Sequence, residues 1–375
     1  MTSLDWHDFP DDAYPVSQAV RAAVQRGHHR LHGRKRPANR EITMTMKRMT
    51  TLAIGLVAAT AAGTVASTAL AETTIRLSTY VNETDIRHEG FSHFANLVSE
   101  KTGGSVKVDI FASSTLHGWS EGVDALLGGV SDISWINADN RLPCYATTSL
   151  YPAIVSLANQ PAMDAAYAGL IRDEAVGQGL VPLFNSNYSY DQEWWFKGPD
   201  TDLNKLDGKL VRSIGPLVSK MITTWGGEPV FVAPKEVFQS AERGVVDGIN
   251  MGVATYSSWK LWGVMPHMIN ANLFYGNIIY MISKAKLDAM TPEEQAAVMQ
   301  AAAETEVWLQ PKYEKWVDDQ VAEAVAAGGT ERNLTTEESL ALIATVKDAW
   351  EAESDKACGA DRAGKIRDLL AANAP

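Results

Sequence analysis

The stretch KLDGKLVRSIG, Lys205 to Gly215, sets an arginine inside an apolar run. The stretch reads as a turn and a short buried strand in which Val211 and Ile214 are expected inside, and Arg212 lies between them. A guanidinium is charged at any ordinary pH, so burying it demands a partner. Two kinds of partner are open: an acidic side chain of the same chain, such as Asp207, or the carboxylate of a bound molecule. A carboxylate presents two oxygens that match the planar guanidinium fork.

Residues for covalent or acid–base catalysis are scarce. Beyond residue 71 the histidines are His88, His93, His117 and His267, none paired at zinc spacing, and there is no HExxH. GxSxG, GxxxxGK[ST] and GxGxxG are absent. Glu293-Glu294 falls in a helix first turn, where the macrodipole accounts for it. Cys144 and Cys358 are too far apart in sequence for a redox motif, and suit either one structural disulfide or two separate thiols. The balance favours a binding protein over an enzyme, with a periplasmic hydrolase as the minor reading.

The elements that must position Arg212 lie in an ordinary globular composition. The 375 residues are 46% apolar and 21% charged, with a net charge of −12. No basic face for nucleic acid appears in the main body. Residues 44–71 carry Lys47 and Arg48, an uncharged stretch to Leu70, and Ala69-Leu70-Ala71 before Glu72. That is the pattern of a secretory signal, with cleavage expected after Ala71 and a periplasmic destination. Residues 1–43 precede the signal, are rich in His and Arg, and fit an upstream mis-called start. Removing residues 1–71, with 9 basic and 5 acidic residues, leaves 24 against 40 in 304 residues, a net charge of −16.

TTIRLSTYV (Thr73–Val81) opens as a β-branched strand. Phe91, Phe94, Leu97 and Val98 then recur at helical spacing up to Gly103-Gly104, and SVKVDIF alternates as the next strand. Strand, helix and strand in this order predict a parallel βαβ unit. EGVDALLGGVSD (Glu121–Asp132) and EVFQSAERGVVD (Glu236–Asp247) resemble each other. Each has Glu followed by Gly-Val-x-Asp beginning eight residues later, read as a helix ending at Gly and a short strand. Two such units predict two similar α/β lobes facing one cleft, since ligands of open α/β sheets sit at the carboxyl ends of strands. The C-terminal third is helical: Thr291 with Glu294 forms a capping box, Pro311 is expected to kink or break the helix, and Thr335 starts another. Long helices there would brace both lobes.

The blocks FANLVSEKTGGSVKVDIFASSTL, DALLGGVSDIS, LDGKLVRSIG, WGGEPVFVAPKEVFQSAERGVVDG and MTPEEQAAVMQAAAE, in this order and spacing, resemble the solute-binding subunits of tripartite ATP-independent periplasmic (TRAP) transporters. The resemblance covers roughly residues 74–310. It implies an α/β, two-lobe periplasmic binding fold with long C-terminal helices. It implies a small organic acid ligand, delivery to a TRAP membrane permease, and no cofactor. The corresponding division is 72–189 plus about 278–317 for one lobe, and 190–277 plus about 318–375 for the other. In such proteins the arginine of a GxKxR strand holds the ligand carboxylate, and that position here is Arg212.

The resemblance also places Tyr80, Asn82, Asn137, Asn250, Met251, Phe274 and Asn277 at the cleft, though an Asn at a strand end often only caps a turn and an aromatic is more often core. Arg141 would be either a second positive group or a surface residue. Many members read DGxE where this chain has Asn250, and without that carboxylate a bound Ca²⁺ or Na⁺ is not expected. YDQEWWFKG, with Gln192, Trp194 and Trp195, stands where sialic-acid binders carry a second arginine, which argues against that ligand. Trp135, Trp194 and Trp195 near the cleft suggest an apolar or aromatic carboxylate. A receptor serving a sensor kinase is the alternative to transport.

Overall fold

The computed structural model describes residues 72–188 and 192–375. The signal segment and residues 1–43 lie outside the described residues. The strands are β1 (Thr73–Ser78), β2 (Val106–Phe111), β3 (Ile133–Trp135), β4 (Leu150–Pro152), β5 (Leu180–Asn185), β6 (Gln192–Phe196), β7 (Leu210–Ser213), β8 (Glu228–Phe231), β9 (Gly248–Gly252), β10 (His267–Asn270), β11 (Phe274–Gly276), β12 (Ile279–Ser283) and β13 (Thr330–Asn333). The helices are α1 (Ile86–Lys101), α2 (Gly122–Leu127), α3 (Pro143–Thr148), α4 (Gln160–Gly177), α5 (Pro216–Thr224), α6 (Val237–Glu242), α7 (Val253–Ser258), α8 (Lys284–Asp288), α9 (Pro292–Ala326), α10 (Thr336–Ala344), α11 (Lys347–Cys358) and α12 (Ala360–Ala372).

The predicted βαβ unit forms: β1 and β2 pair in parallel from Thr73↔Val106 to Ser78↔Phe111, with α1 as the crossover. Phe91, Phe94 and Val98 of α1 are buried against the first sheet, ordered β2-β1-β3-β12-β5. The second sheet is ordered β13-β10-β6-β9-β7-β8, and β4 pairs with β11 in a small ribbon.

The resemblance between the two Gly-Val-x-Asp stretches has a physical basis. After α2, Gly129 turns with φ +67°; after α6, Gly244 turns with φ +75°, a region open to glycine without penalty. The Asp that follows then clips the backbone of a neighbouring strand. Asp132 accepts from the Arg76 amide at 2.8 Å and donates its own amide to the Arg76 carbonyl at 2.9 Å. Asp247 does the same with Leu210, at 2.9 and 2.7 Å. One device thus positions β1 in one lobe and β7, the Arg212 strand, in the other.

Helix α9 starts at the Thr291–Glu294 capping box and runs for 35 residues. The break expected at Pro311 does not occur. The ring removes one amide donor and crowds the preceding turn, but the helix is held on both sides of it. Val298, Ala301 and Ala302 pack in the core of the first lobe, and Leu309, Tyr313, Val317 and Ala324 in that of the second. Strand β13 returns to the edge of the second sheet beside β10. Helices α11 and α12 pack on α3 and α4, and Cys144 of α3 is disulfide-bonded to Cys358 at the end of α11. Among the described residues no helix is long and apolar enough to cross a membrane.

Candidate functional site

Strand β7 lies between β8 and β9, parallel to both. Alternation along it turns Val211 into one core, with Trp194, Phe196 and Ile269. It turns Arg212 to the other face, where its register partner Ile249 packs with Trp195, Val232 and Met251. Arg212 is 1% exposed. Its Nε donates to the Val232 carbonyl at 3.0 Å and its Nη1 to the Asn250 carbonyl at 2.7 Å. Among the described residues no carboxylate stands within ion-pair distance of it, and Nη2 makes no hydrogen bond. The Asp207 carboxylate lies beside Gly226 instead. Burial pushes the Arg212 pKa down to about 9, and Tyr80 is the one side chain that opposes the shift. The group is protonated at neutral pH, and two neutral carbonyls leave its charge unmatched.

Tyr80, just past β1, is a first-lobe residue whose phenol bears on the charge of Arg212. It is buried, with its ring edge-on to Trp119 at 4.6 Å and to Trp135 at 5.4 Å. The Trp119 indole N–H is buried without a hydrogen-bond partner. The lobes interleave here: Ile86 of α1 packs in the core of the second lobe, and Ala233, after β8, packs against that of the first.

Beside Tyr80 lies a second buried guanidinium that sequence reasoning missed. Arg87 is fully buried, and its fork meets Asp85 through Nε–Oδ1 at 2.8 Å and Nη2–Oδ2 at 2.5 Å. It also donates to the Tyr80 hydroxyl at 2.7 Å, to Asn187 Oδ1 at 2.9 Å and, across the lobes, to Thr255 Oγ1 at 2.8 Å. Asp85 doubles as the N-cap of α1, accepting from the Arg87 amide at 3.0 Å. The available signal was a cation in a helix first turn, where the macrodipole disfavours it unless an anion is close.

The other predicted residues divide. Met251 shares the Arg212 face and packs with Trp195, whose indole stacks on Tyr256 at 3.5 Å. Asn250 contributes its carbonyl to Arg212, but its side chain is taken up within the sheet, accepting from Gln192 at 2.7 Å and donating to the Glu193 carbonyl at 3.1 Å. Trp194 and Phe274 lie in the opposite core. Asn82 donates to the Ser258 carbonyl at 2.9 Å, another link between the lobes, and Asn137 accepts from the Ala138 amide at 2.9 Å. Arg141 is not a free second cation: its guanidinium is held by Asp139 at 2.7 Å and by Asp124 at 2.6 Å.

Asn277 belongs to a buried polar cluster away from Arg212, donating to Asp164 at 3.2 Å. Asp164 also accepts from Tyr275 at 2.8 Å and Asn185 at 2.9 Å, while Glu306 accepts from the Asn185 amide at 2.5 Å. A groove of about 490 Å³ between α9 and the β10–β13 edge, lined by Met268, Val317, Val321 and Glu331, does not include Arg212.

Comparison with known proteins places the chain in a family and a fold. The model of bacterial extracellular solute-binding proteins, family 7, matches residues 77–148 and 196–356. The 2,3-diketo-L-gulonate-binding periplasmic protein of Escherichia coli K12 is 23% identical over 325 residues, which is 82% of this chain and 90% of that protein. A C4-dicarboxylate-binding protein of Bacillus subtilis is 23% identical over 245 residues, 61% of this chain and 67% of its own. Among solved structures, a Bordetella pertussis extracytoplasmic solute receptor binding pyroglutamic acid superposes with a TM-score of 0.72 at 21% identity, covering 80% of this chain and 99% of that one. A TRAP periplasmic solute-binding protein from Roseobacter denitrificans with bound L-galactonate gives 0.70, at 21% identity and with the same coverage.

Proposed function

The chain belongs to the bacterial extracellular solute-binding proteins of family 7, and from that premise we propose that it holds a small organic acid by its carboxylate on Arg212. The family and its structural neighbours are extracytoplasmic solute receptors, not enzymes. The observation that carries the assignment is the buried guanidinium, unmatched in charge and with Nη2 uncommitted. A carboxylate there completes the fork with charge-assisted hydrogen bonds in a place where water does not screen them.

Met251, which packs with Trp195 on the Arg212 face, and Tyr80, edge-on to Trp119, would line the bound acid. Closure of the two lobes, divided at 72–189 plus about 278–317 and 190–277 plus about 318–375, would seal the acid between them. The closed form would then hand its cargo to a TRAP permease in the membrane, after export and signal cleavage following Ala71. Two structural neighbours bind pyroglutamic acid and L-galactonate, both polar acids, so the apolar or aromatic acid expected from the tryptophans has no support. The unpartnered Trp119 N–H beside Tyr80 suits an acid with a polar end. Mass spectrometry of the molecule retained on the purified native protein tests the reading. A carboxylic acid is expected, and a retained neutral or cationic solute would overturn it.

A further inference from the structure

Two guanidiniums are buried where the lobes meet, and the structure treats them differently. Arg87 is neutralised within the protein by the two-point contact with Asp85. Arg212 meets only carbonyls. Thr255, which accepts from Arg87, stands five residues after Asn250, whose carbonyl accepts from Arg212, and the Tyr80 hydroxyl accepts from Arg87 Nη1. Of the other groups about them, Thr255 and Asn187 are neutral, and Arg141 is occupied by Asp139 and Asp124. Of the guanidiniums named here, Arg212 alone meets an entering anion without a carboxylate of the protein already on it.

We infer that Asp85 sets the charge of the ligand: by holding Arg87 it restricts the cleft to monocarboxylates and excludes dicarboxylates of the same size. This rests on the Arg212 assignment above. A second carboxylate would be buried against groups that bring it no net positive charge, and the cost of an unpaired buried charge is large. A neutral polar end is better matched, for the buried Trp119 N–H at the Tyr80 edge has no acceptor of its own. The excluded class includes the C4 dicarboxylates for which one relative is named.

The experiment is calorimetry at pH 7 with two isosteric pairs, succinamate against succinate and galactonate against galactarate. In the wild-type protein the monoanion of whichever pair binds is expected to be favoured by about 100-fold or more. Asp85→Asn releases Arg87 and is expected to move that ratio toward the dianion by at least about 10-fold. Should that variant fail to fold, Asp85→Asn combined with Arg87→Gln removes both charges and is expected to keep the monoanion preference. A wild-type protein that takes the dianion of a pair as tightly as its monoanion, or a folded Asp85→Asn variant with an unchanged ratio, overturns the inference. Either result leaves the Arg212 assignment standing, provided that Arg212→Lys still weakens both members. If no member of either pair binds, this inference falls, and the Arg212 reading is judged separately by Arg212→Lys against the acid recovered from the native protein.

Discussion

Asp164 and Glu306 hold the same residue. Asp164 accepts from the side-chain amide of Asn185 at 2.9 Å, and Glu306 accepts from its backbone amide at 2.5 Å, both carboxyls being buried. Asn185 ends β5, where the chain leaves the first sheet for the second. Burial raises the Asp164 pKa from 3.8 to about 6, and burial followed by the nearby Asp164 raises that of Glu306. A carboxyl with a raised folded-state pKa binds its proton more tightly folded than unfolded. Its stabilising effect is complete below about pH 4 and is lost as pH rises through the folded value. Denaturant unfolding is therefore expected to show stability falling from about pH 4 to above pH 6, and Glu306→Gln, which mimics the protonated acid, should flatten that fall. An identical slope in the variant would dismiss the pair as its origin.

The paired Asp clips give a second expectation. Asp247→Ala strips the Leu210 amide of its acceptor, at a cost of about 1–3 kcal/mol. Asp132→Ala should cost more, because Asp132 also accepts from the Arg76 side chain at 3.1 Å. Urea unfolding of the two variants side by side checks the order. Asp247→Ala should also weaken ligand binding, since it loosens the strand that bears Arg212.

The Cys144–Cys358 disulfide closes a separation of 214 residues. Replacing both cysteines by serine is expected to lower unfolding free energy by about 3–5 kcal/mol, chiefly through the freed unfolded chain. Ligand affinity should persist, because neither cysteine lies on the Arg212 face. Thermal unfolding with and without reductant reads the first effect, and calorimetry the second.

Much of the scaffold was legible because it is written in local patterns. The βαβ opening, the capping boxes at Thr291 and Thr335, and the repeated Gly-Val-x-Asp all follow from spacing over a few residues. The position of Arg212 between Val211 and Ile214 also announced a buried cation. What escaped depends on contacts far apart in sequence. Asn250 reads as a cleft residue until β6 is seen to pair with β9, which puts Gln192 in reach of its amide. Asp164 and Glu306 stand 142 positions apart and meet only through Asn185. Pro311 reads as a breaker because local propensity knows nothing of the two cores that keep α9 helical through it. The disulfide stayed an even choice because two cysteines carry no information on whether helices α3 and α11 touch.

The most direct test of the site is Arg212→Lys, measured by calorimetry with the acid recovered from the native protein. Lysine keeps the positive charge but has no planar fork, and cannot serve the Val232 and Asn250 carbonyls and a carboxylate in the same geometry. The expected result is a loss of affinity of about 100-fold or more with an unchanged circular dichroism spectrum. Wild-type affinity in the folded variant would contradict the assignment of Arg212 as the ligand's anchor.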